Sequence, residues 1–322
     1  MSAQGSSGLS RRNILRVAGV VAPGMVAATT AGAKQASATP RVSSRGGPSR
    51  EPIPEQVPVT QGKIEVPGGH LWYWDTGGVG PAVVLVHAAS GSAESWPYQQ
   101  PVLARAGYRV IAYSRRGHFN SSSFDEEDAP VGAEDLDAVV NHLGIEKFHL
   151  VSAALGGYYA TDYALLHPER ITSFVVISSF MAIRDPAYLE LTGQLRPPEF
   201  DALPTYFKEL SPSYRTINPD GLASWREIAG RARLASSDFR HTVANEITWD
   251  KLATLSPRTL LVTGTSDLYM PPPVLRMIAD HISDCSVMLF PEVGHSANWE
   301  SPSDFNAALL RFLKGARIAA HG

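Results

Sequence analysis

The chain has a single cysteine, Cys285, among its 322 residues, so it cannot form an internal disulfide bond. It also lacks a strong excess of either charge: 28 lysines and arginines stand against 31 aspartates and glutamates, for a formal net charge of −3. No basic tract of the kind that neutralises nucleic-acid phosphates is present. These absences exclude an internally disulfide-bonded scaffold and argue against a nucleic-acid partner.

Two kinds of cofactor site are also missing from the sequence. No Gly-rich phosphate-binding loop follows the first predicted strand, and no set of histidines, cysteines and acids has the spacing of metal ligands. The chain is nevertheless 44% apolar and can bury a substantial core. We therefore predict a globular protein that needs no cofactor.

The N-terminus carries the features of an export signal in the expected order. Ser10-Arg11-Arg12-Asn13-Ile14-Leu15-Arg16 resembles the twin-arginine pattern, and an apolar region without acids follows it. Small residues at Ala36-Ser37-Ala38 offer a cleavage site. Pro23 and Gly24 make the apolar region a poor membrane-spanning helix. We predict that residues 1–38 are a twin-arginine-type signal peptide, and that the protein is exported to the periplasm or beyond without a stable membrane anchor.

Beyond this segment the sequence divides into a linker and a regular alternation of strands and helices. Residues 39–61 are rich in Pro, Ser, Arg and Gly and predict a flexible linker. From residue 62 onward strands and helices alternate, which is typical of a mostly parallel sheet covered by helices. The predicted strands are Ile64–Val66, Leu71–Asp75, Ala82–Val86, Tyr108–Tyr113, Phe148–Val151, Phe174–Ile177, Thr259–Thr263 and Val287–Phe290. The main predicted helices are Ala93–Ala106, Glu134–Leu143 and Asp304–Leu313.

Residues 180–250 break this alternation. They contain Pro197-Pro198, many aromatic residues and short helical patterns such as Ala223–Leu234. About seventy residues is more than a crossover between parallel strands needs. We predict a helical cap over 180–250, inserted into a core formed by residues 62–179 and 251–316.

The segment Leu150-Val151-Ser152-Ala153-Ala154-Leu155-Gly156-Gly157 has the form of a strand–turn–helix elbow that presents a nucleophile. The tight turn needs small residues two positions either side of the nucleophile, and Ser152 and Gly156 meet that need. Between them stands Ala154, whose methyl group cannot attack a carbonyl. Ser152 is a poor replacement, because its own flanking residue Leu150 is bulky. The sequence predicts a catalytic turn without its hydroxyl.

Four further stretches follow predicted strand ends in a fixed order. They are Leu85-Val86-His87-Ala88-Ala89-Ser90-Gly91-Ser92, Tyr113-Ser114-Arg115-Arg116-Gly117-His118, Leu260-Leu261-Val262-Thr263-Gly264-Thr265-Ser266-Asp267 and Phe290-Pro291-Glu292-Val293-Gly294-His295-Ser296. Over residues 62–315 the chain thereby resembles the α/β-hydrolase fold family, in its capped serine-hydrolase branch. Ala88 and Ser114 replace residues usual in that family. The resemblance implies an α/β fold with a mostly parallel eight-stranded sheet, flanking helices and a helical cap.

The resemblance also assigns the site. Asp267 corresponds to the acid and His295 to the base, with Ala154 at the nucleophile position, in the family's chain order of nucleophile, acid and histidine. The backbone N–H groups of Ala89 and Leu155 correspond to the donors of the oxyanion hole. Because all but the nucleophile persist, we expect these groups to meet in one cleft.

Three functions remain open at this point. The first is an exported serine hydrolase whose nucleophile is replaced by Ala154, so that the chain as written is impaired. The second is a naturally serine-less enzyme, of the lyase or cofactor-free oxygenase type, in which the His295–Asp267 dyad is a general base for water or for a substrate proton. The third is a non-catalytic binding protein. The first accounts best for the survival of the other catalytic groups.

The predicted cap gives the only indication of the substrate. Its aromatic and apolar residues favour a small or medium hydrophobic ester, lactone or amide. Phe180 and Met181 lie near the end of a predicted strand, where they would line the pocket. We take them as the candidate substrate-binding residues.

Overall fold

The computed structural model describes residues 41–43, 46–234 and 240–316. The predicted signal peptide, residues 1–38, lies outside this part of the chain. None of the helices in the described ranges combines the length and the apolar character that crossing a membrane would require.

The described strands form one nine-stranded sheet. They are β1 (Arg41–Ser43), β2 (Thr60–Val66), β3 (Gly69–Asp75), β4 (Ala82–Val86), β5 (Arg109–Ser114), β6 (Phe148–Ala153), β7 (Ile171–Ile177), β8 (Thr259–Gly264) and β9 (Cys285–Phe290). Their spatial order is β1-β9-β8-β7-β6-β4-β5-β3-β2. Pairing is parallel except where β3 meets β2 and β5. This confirms the predicted α/β-hydrolase fold class, with all eight predicted strands present and a ninth added at one edge.

The central strands are apolar without interruption because both faces of the sheet are covered. Every residue of β4 and of β8 is buried. Side chains alternate between the faces, so Val84 and Val86 pack in one core cluster while Val83 and Leu85 pack in the other. A parallel sheet buried on both sides is the arrangement that such strands indicate.

Helices cover the sheet and fill the connection between β7 and β8. They are α1 (Gln100–Arg105), α2 (Gly132–His142), α3 (Gly156–Leu166), α4 (Pro186–Gln194), α5 (Thr205–Glu209), α6 (Pro212–Ile217), α7 (Pro219–Ala232), α8 (Trp249–Ala253), α9 (Pro272–Ala279), α10 (Ala297–Glu300) and α11 (Pro302–Leu313). The prediction of one helix over Ala93–Ala106 is wrong. A short 3₁₀ turn at Ala93–Ser95 and α1 replace it, because Pro97 between them lacks the N–H that a continuous helix needs.

The prediction that residues 39–61 are a flexible linker is also wrong for the described part of that range. β1 pairs in parallel with β9, and the following segment hydrogen bonds to the body of the protein. The N–H of Ser49 donates to the carbonyl of Glu300 at 2.8 Å, and that of Val57 to Oε1 of Gln100 at 3.0 Å. An exposed strand edge offers unpaired backbone groups to any extended segment, and extended segments rich in Pro show no periodicity that would predict this.

Gly156 sets the distance between α3 and β4. A β-carbon there would lie 2.5 Å from the carbonyl oxygen of His87 and 2.6 Å from that of Val86. Since these backbone atoms cannot turn aside, we expect Gly156→Ala to lower the free energy of unfolding by about 1–3 kcal/mol. Thermal unfolding followed by circular dichroism measures it. Gly193→Ala is the matched control, because α4 leaves open space there and alanine is the better helix former; equal losses in both variants would contradict this explanation.

Candidate active site

Ala154 stands in the turn between β6 and α3. Its φ is +47°, a left-handed conformation that residues other than glycine seldom adopt. The turn is held by the N–H of Ala154, which donates to the carbonyl of Ile177 at 2.8 Å. Ser152 does not face the site: it is fully buried, and its Oγ donates to the carbonyl of Val175 at 3.2 Å. The elbow therefore carries a methyl group at the position of the nucleophile.

The structure brings Asp267 and His295 together. Nδ1 of His295 lies 2.9 Å from each carboxylate oxygen of Asp267. The same carboxylate accepts the N–H groups of Tyr269 at 2.8 Å and Met270 at 3.0 Å, and the hydroxyl of Thr263 at 2.9 Å. An ionised carboxylate only accepts hydrogen bonds, so Nδ1 of His295 carries the proton. Nε2 is then the nitrogen with a free lone pair.

Burial and pairing have opposite effects on the pKa values of Asp267 and His295. Burial would raise the pKa of Asp267, but the charge of His295 and the hydrogen bonds to the carboxylate outweigh it and leave the pKa lowered. Burial would likewise lower the pKa of His295, but the Asp267 carboxylate outweighs it and leaves the pKa raised. The pair therefore favours an ionised acid beside an imidazole that readily takes up a proton.

The loop that contains Ala89 is fixed by buried side chains. His87 accepts the backbone N–H of Arg115 on Nε2 at 2.9 Å, which leaves its Nδ1–H to donate to the carbonyl of Ala88. A ring nitrogen of His118 lies 3.2 Å from the carbonyl of Ala89. Burial holds the pKa of His87 well below its usual range and lowers that of His118 to about 2. Both rings are thus neutral supports of the loop.

The two residues whose amides are assigned to the oxyanion hole line one cavity. Ala89 and Leu155 both line it, together with Ala154 and His295. Neither amide donates to a backbone acceptor in the part of the chain that the structure describes. The four residues predicted to meet in one cleft therefore do so, and Asp267 lies directly behind His295.

This cavity, called the catalytic cavity below, has a volume of about 660 Å³, within the usual range for small-molecule sites. Phe180 lines it as predicted. Met181 does not: it is fully buried in the core below, with φ +53°. The reason is the left-handed turn after β7, which sends the second of these two side chains back into the core. Among the described residues no group of three or more His, Cys, Asp or Glu side chains forms a metal site.

Sequence reasoning missed Glu209, a buried acid of the site at the end of α5. It is 7% exposed and lines the same cavity as Ala154 and His295. Its carboxylate accepts the hydroxyl of Ser90 at 2.7 Å, and its carbonyl accepts the N–H of His295 at 2.9 Å. Burial raises its pKa, against the opposing effect of His295. No motif identifies this residue, because it comes from the irregular predicted cap.

Glu300 holds the histidine loop against the predicted cap. Its buried carboxylate accepts the N–H of Gly294, one residue before His295, at 3.0 Å. It also accepts the N–H of Ser211 at 3.1 Å. Burial raises the pKa of Glu300 to about 8, although these hydrogen bonds favour the charged form.

The raised pKa of Glu300 predicts a loss of stability with rising pH. The folded state binds this proton more tightly than the unfolded state, so the contribution is complete below about pH 4.5 and is lost as the pH rises through about 8. Between these two pH values, the titration of Glu300 lowers the free energy of unfolding by about 1.4 kcal/mol for each unit that the pH rises. We expect Glu300→Gln to flatten the dependence, measured by urea unfolding from pH 5 to 9. An unchanged slope would contradict the assignment, and Glu246→Gln on the exposed surface is the control.

Known proteins share this fold. A profile of the alpha/beta hydrolase family matches residues 83–308. The chain is 26% identical over 271 residues to 2-hydroxy-6-oxo-6-phenylhexa-2,4-dienoate hydrolase of Comamonas testosteroni, covering 76% of this chain and 91% of that protein. Among solved structures it is similar to a thermophilic esterase from Thermogutta terrifontis, with a TM-score of 0.67 and 24% identity over 79% of this chain and 98% of that one. An enol-lactonase from Burkholderia xenovorans LB400 matches with a TM-score of 0.63 and 20% identity, over 79% and 100%. The family match spans well over half of the sequence, and the chain therefore belongs to the alpha/beta hydrolase family.

Proposed function

We propose that this protein hydrolyses a small-molecule ester or lactone, with water activated by His295 in place of a serine hydroxyl. The observation that carries the proposal is the His295–Asp267 pair, with contacts of 2.9 Å, at the cavity that Ala154 also lines. A base held in one tautomer and paired amides are the groups that hydrolysis at a carbonyl requires. The similarity to a hydrolase at 26% identity supports the reaction class.

Water has room beside the methyl group of Ala154. A second, narrower cavity of about 40 Å³ is lined by Ala154, Glu209, Ser90 and His295. A water molecule needs about 10–15 Å³ of such volume and two or more polar partners. The ring of His295 and the carboxyl of Glu209 supply polar groups in its lining. This cavity is therefore suited to a water molecule beside residue 154.

The reaction then proceeds in two steps. The water oxygen forms a bond to the carbonyl carbon while one of its protons passes to Nε2 of His295, and Asp267 stabilises the resulting imidazolium. The N–H groups of Ala89 and Leu155 stabilise the oxyanion of the tetrahedral intermediate. The bond from carbon to the leaving oxygen breaks next, and His295 returns the proton to that oxygen. No acyl-enzyme forms, because Ala154 has no atom that could carry it.

This route is slower than catalysis through a covalent intermediate. Removal of the nucleophile in a serine hydrolase costs on the order of a million-fold, and the oxyanion hole and substrate binding alone still accelerate hydrolysis about 10³- to 10⁴-fold over water. Activation of water by His295 would add to that residual rate. The native chain should therefore hydrolyse activated esters weakly but measurably, with no pre-steady-state burst and no labelling by a fluorophosphonate.

The test is hydrolysis of a panel of p-nitrophenyl esters and lactones by the native chain. Turnover without a burst is the expected result. Absence of turnover across the panel would overturn the proposal. If, in addition, ligands bound with the same affinity after removal of His295 or Asp267, the molecule would be a binding protein.

A further inference from the structure

Arg196, which follows α4 in the predicted cap, lies among aromatic rings. Its guanidinium carbon is 5.3 Å from the ring centre of Phe180, 5.9 Å from that of Phe200 and 5.4 Å from that of Tyr269. Tyr269 in turn packs against His295, with ring centres 4.6 Å apart. This aromatic box therefore fixes a cation one ring away from the catalytic base.

The cation of Arg196 has no anionic partner within the described residues. Its Nε is fully buried and has no hydrogen-bond partner there. An arginine side chain stays charged in proteins, so a buried guanidinium N–H without a hydrogen bond is unfavourable. Cation–π contacts with the three rings offset part of this cost. The side chain as a whole is only half-buried, so its terminal N–H groups are the donors that a carboxylate in the cavity could reach.

Arg196 lies where two cavities adjoin. It lines the catalytic cavity and also a neighbouring cavity of about 590 Å³, and Leu155, Tyr158, Phe180 and Arg240 line both as well. A ligand held by Arg196 could therefore reach the elbow while the rest of it extended into the second cavity.

The charges around the catalytic cavity also favour an anionic ligand. Five cationic side chains line it, against the two acids Asp201 and Glu209; the cations are Arg196, Lys208, Arg226, Arg233 and Arg240. The whole chain has the opposite balance, with a formal net charge of −3. Positive charge is therefore concentrated around this cavity, which attracts anions and raises their local concentration.

We infer that Arg196 is a specificity-determining residue that binds a carboxylate of the substrate. The inference rests on the proposed function, since it names the substrate class of the same site: a small ester or lactone that also carries a carboxylate. The guanidinium fork matches the two carboxylate oxygens, and its terminal N–H groups supply the charge-assisted hydrogen bonds. The aromatic box holds the fork in position, so that little side-chain entropy is lost on binding.

Binding without turnover tests this inference separately from the proposed function. Isothermal titration calorimetry would compare benzoate, phenylacetate and 4-phenylbutyrate with their neutral amides on the full chain. We expect at least one carboxylate to bind about tenfold to a hundredfold more tightly than its amide, the range of a charge-assisted pair. The preference should fall as NaCl is added. If no carboxylate exceeds its amide in the native chain, the inference is overturned, whatever the esterase assay shows.

Variants identify the residue responsible. Arg196→Gln should reduce carboxylate binding to the level of the amide and leave amide binding unchanged. Arg196→Lys, which keeps the charge but not the fork, should lie between them. Arg215→Gln is the matched control, because Arg215 also covers one aromatic ring of the predicted cap, at 4.2 Å from Phe207, and lines neither cavity. Equal losses in Arg196→Gln and Arg215→Gln, or a weaker amide as well as a weaker carboxylate, would overturn the assignment.

Discussion

Replacing Ala154 with serine is expected to raise the hydrolysis of p-nitrophenyl acetate by at least about a thousandfold, because the loss of such a nucleophile costs up to about a million-fold. The left-handed turn at residue 154, with φ +47°, already has the conformation that an elbow needs. The added oxygen would reach the cavity that His295 and the Ala89 and Leu155 amides line. Steady-state rates and a burst of p-nitrophenol in the first turnover measure the gain.

Two controls make this result specific. The Ala154→Ser variant should react with a fluorophosphonate, whereas Ala154→Thr should react less, because a β-branched residue is unfavourable at positive φ. Ser152→Ala in the same background should leave the burst intact, since that hydroxyl donates to the carbonyl of Val175 inside the sheet. If Ala154→Ser folded but showed neither burst nor labelling, residue 154 would not be the nucleophile position.

Replacing His295 with glutamine in the native chain is expected to lower the weak esterase rate by about 10²- to 10⁴-fold, the usual contribution of a general base. Because the neutral imidazole is the active form and Asp267 raises its pKa, the native rate should increase with pH through a midpoint above 6.5. The dependence of kcat/KM on pH measures that midpoint. Asp267→Asn should lower the rate as well, because the amide no longer stabilises the imidazolium.

His142→Gln is the control for the histidine substitution, since His142 is exposed on α2 and lines none of the three cavities described above. Its rate and pH midpoint should match those of the native chain. A His295→Gln variant that folded and kept the native rate would show that another group activates the water. Glu209 would then be the first residue to substitute, because it is the other titratable side chain of the narrow cavity.

The buried strands and the residues at their ends follow from local patterns in the sequence. The buried strands could be predicted because a strand covered on both faces is apolar at every position, as in β4 and β8. Ala154, Asp267 and His295 could be placed because the carboxyl ends of parallel strands meet at one edge of the sheet, so residues that follow them converge. Short motifs at strand ends therefore predicted both the fold and the dyad.

Other contacts depended on segments without a repeating pattern. Glu209 and Arg196 come from the predicted cap, whose packing over the cavity is set by many individual contacts rather than by a local period. The same holds for β1, which was predicted as a linker and pairs with β9 only because that strand presents an open edge. The turn after β7 placed Phe180 in the cavity and Met181 in the core.

The family fold, the missing hydroxyl at residue 154 and the acid–histidine order can be predicted from the sequence alone, because each is a local pattern attached to a strand end. Which side chains of the irregular insertion line the catalytic cavity depends instead on tertiary packing. Those side chains give the cavity its positive charge and its buried second acid, since charge and burial in a cleft depend on what packs around it in three dimensions.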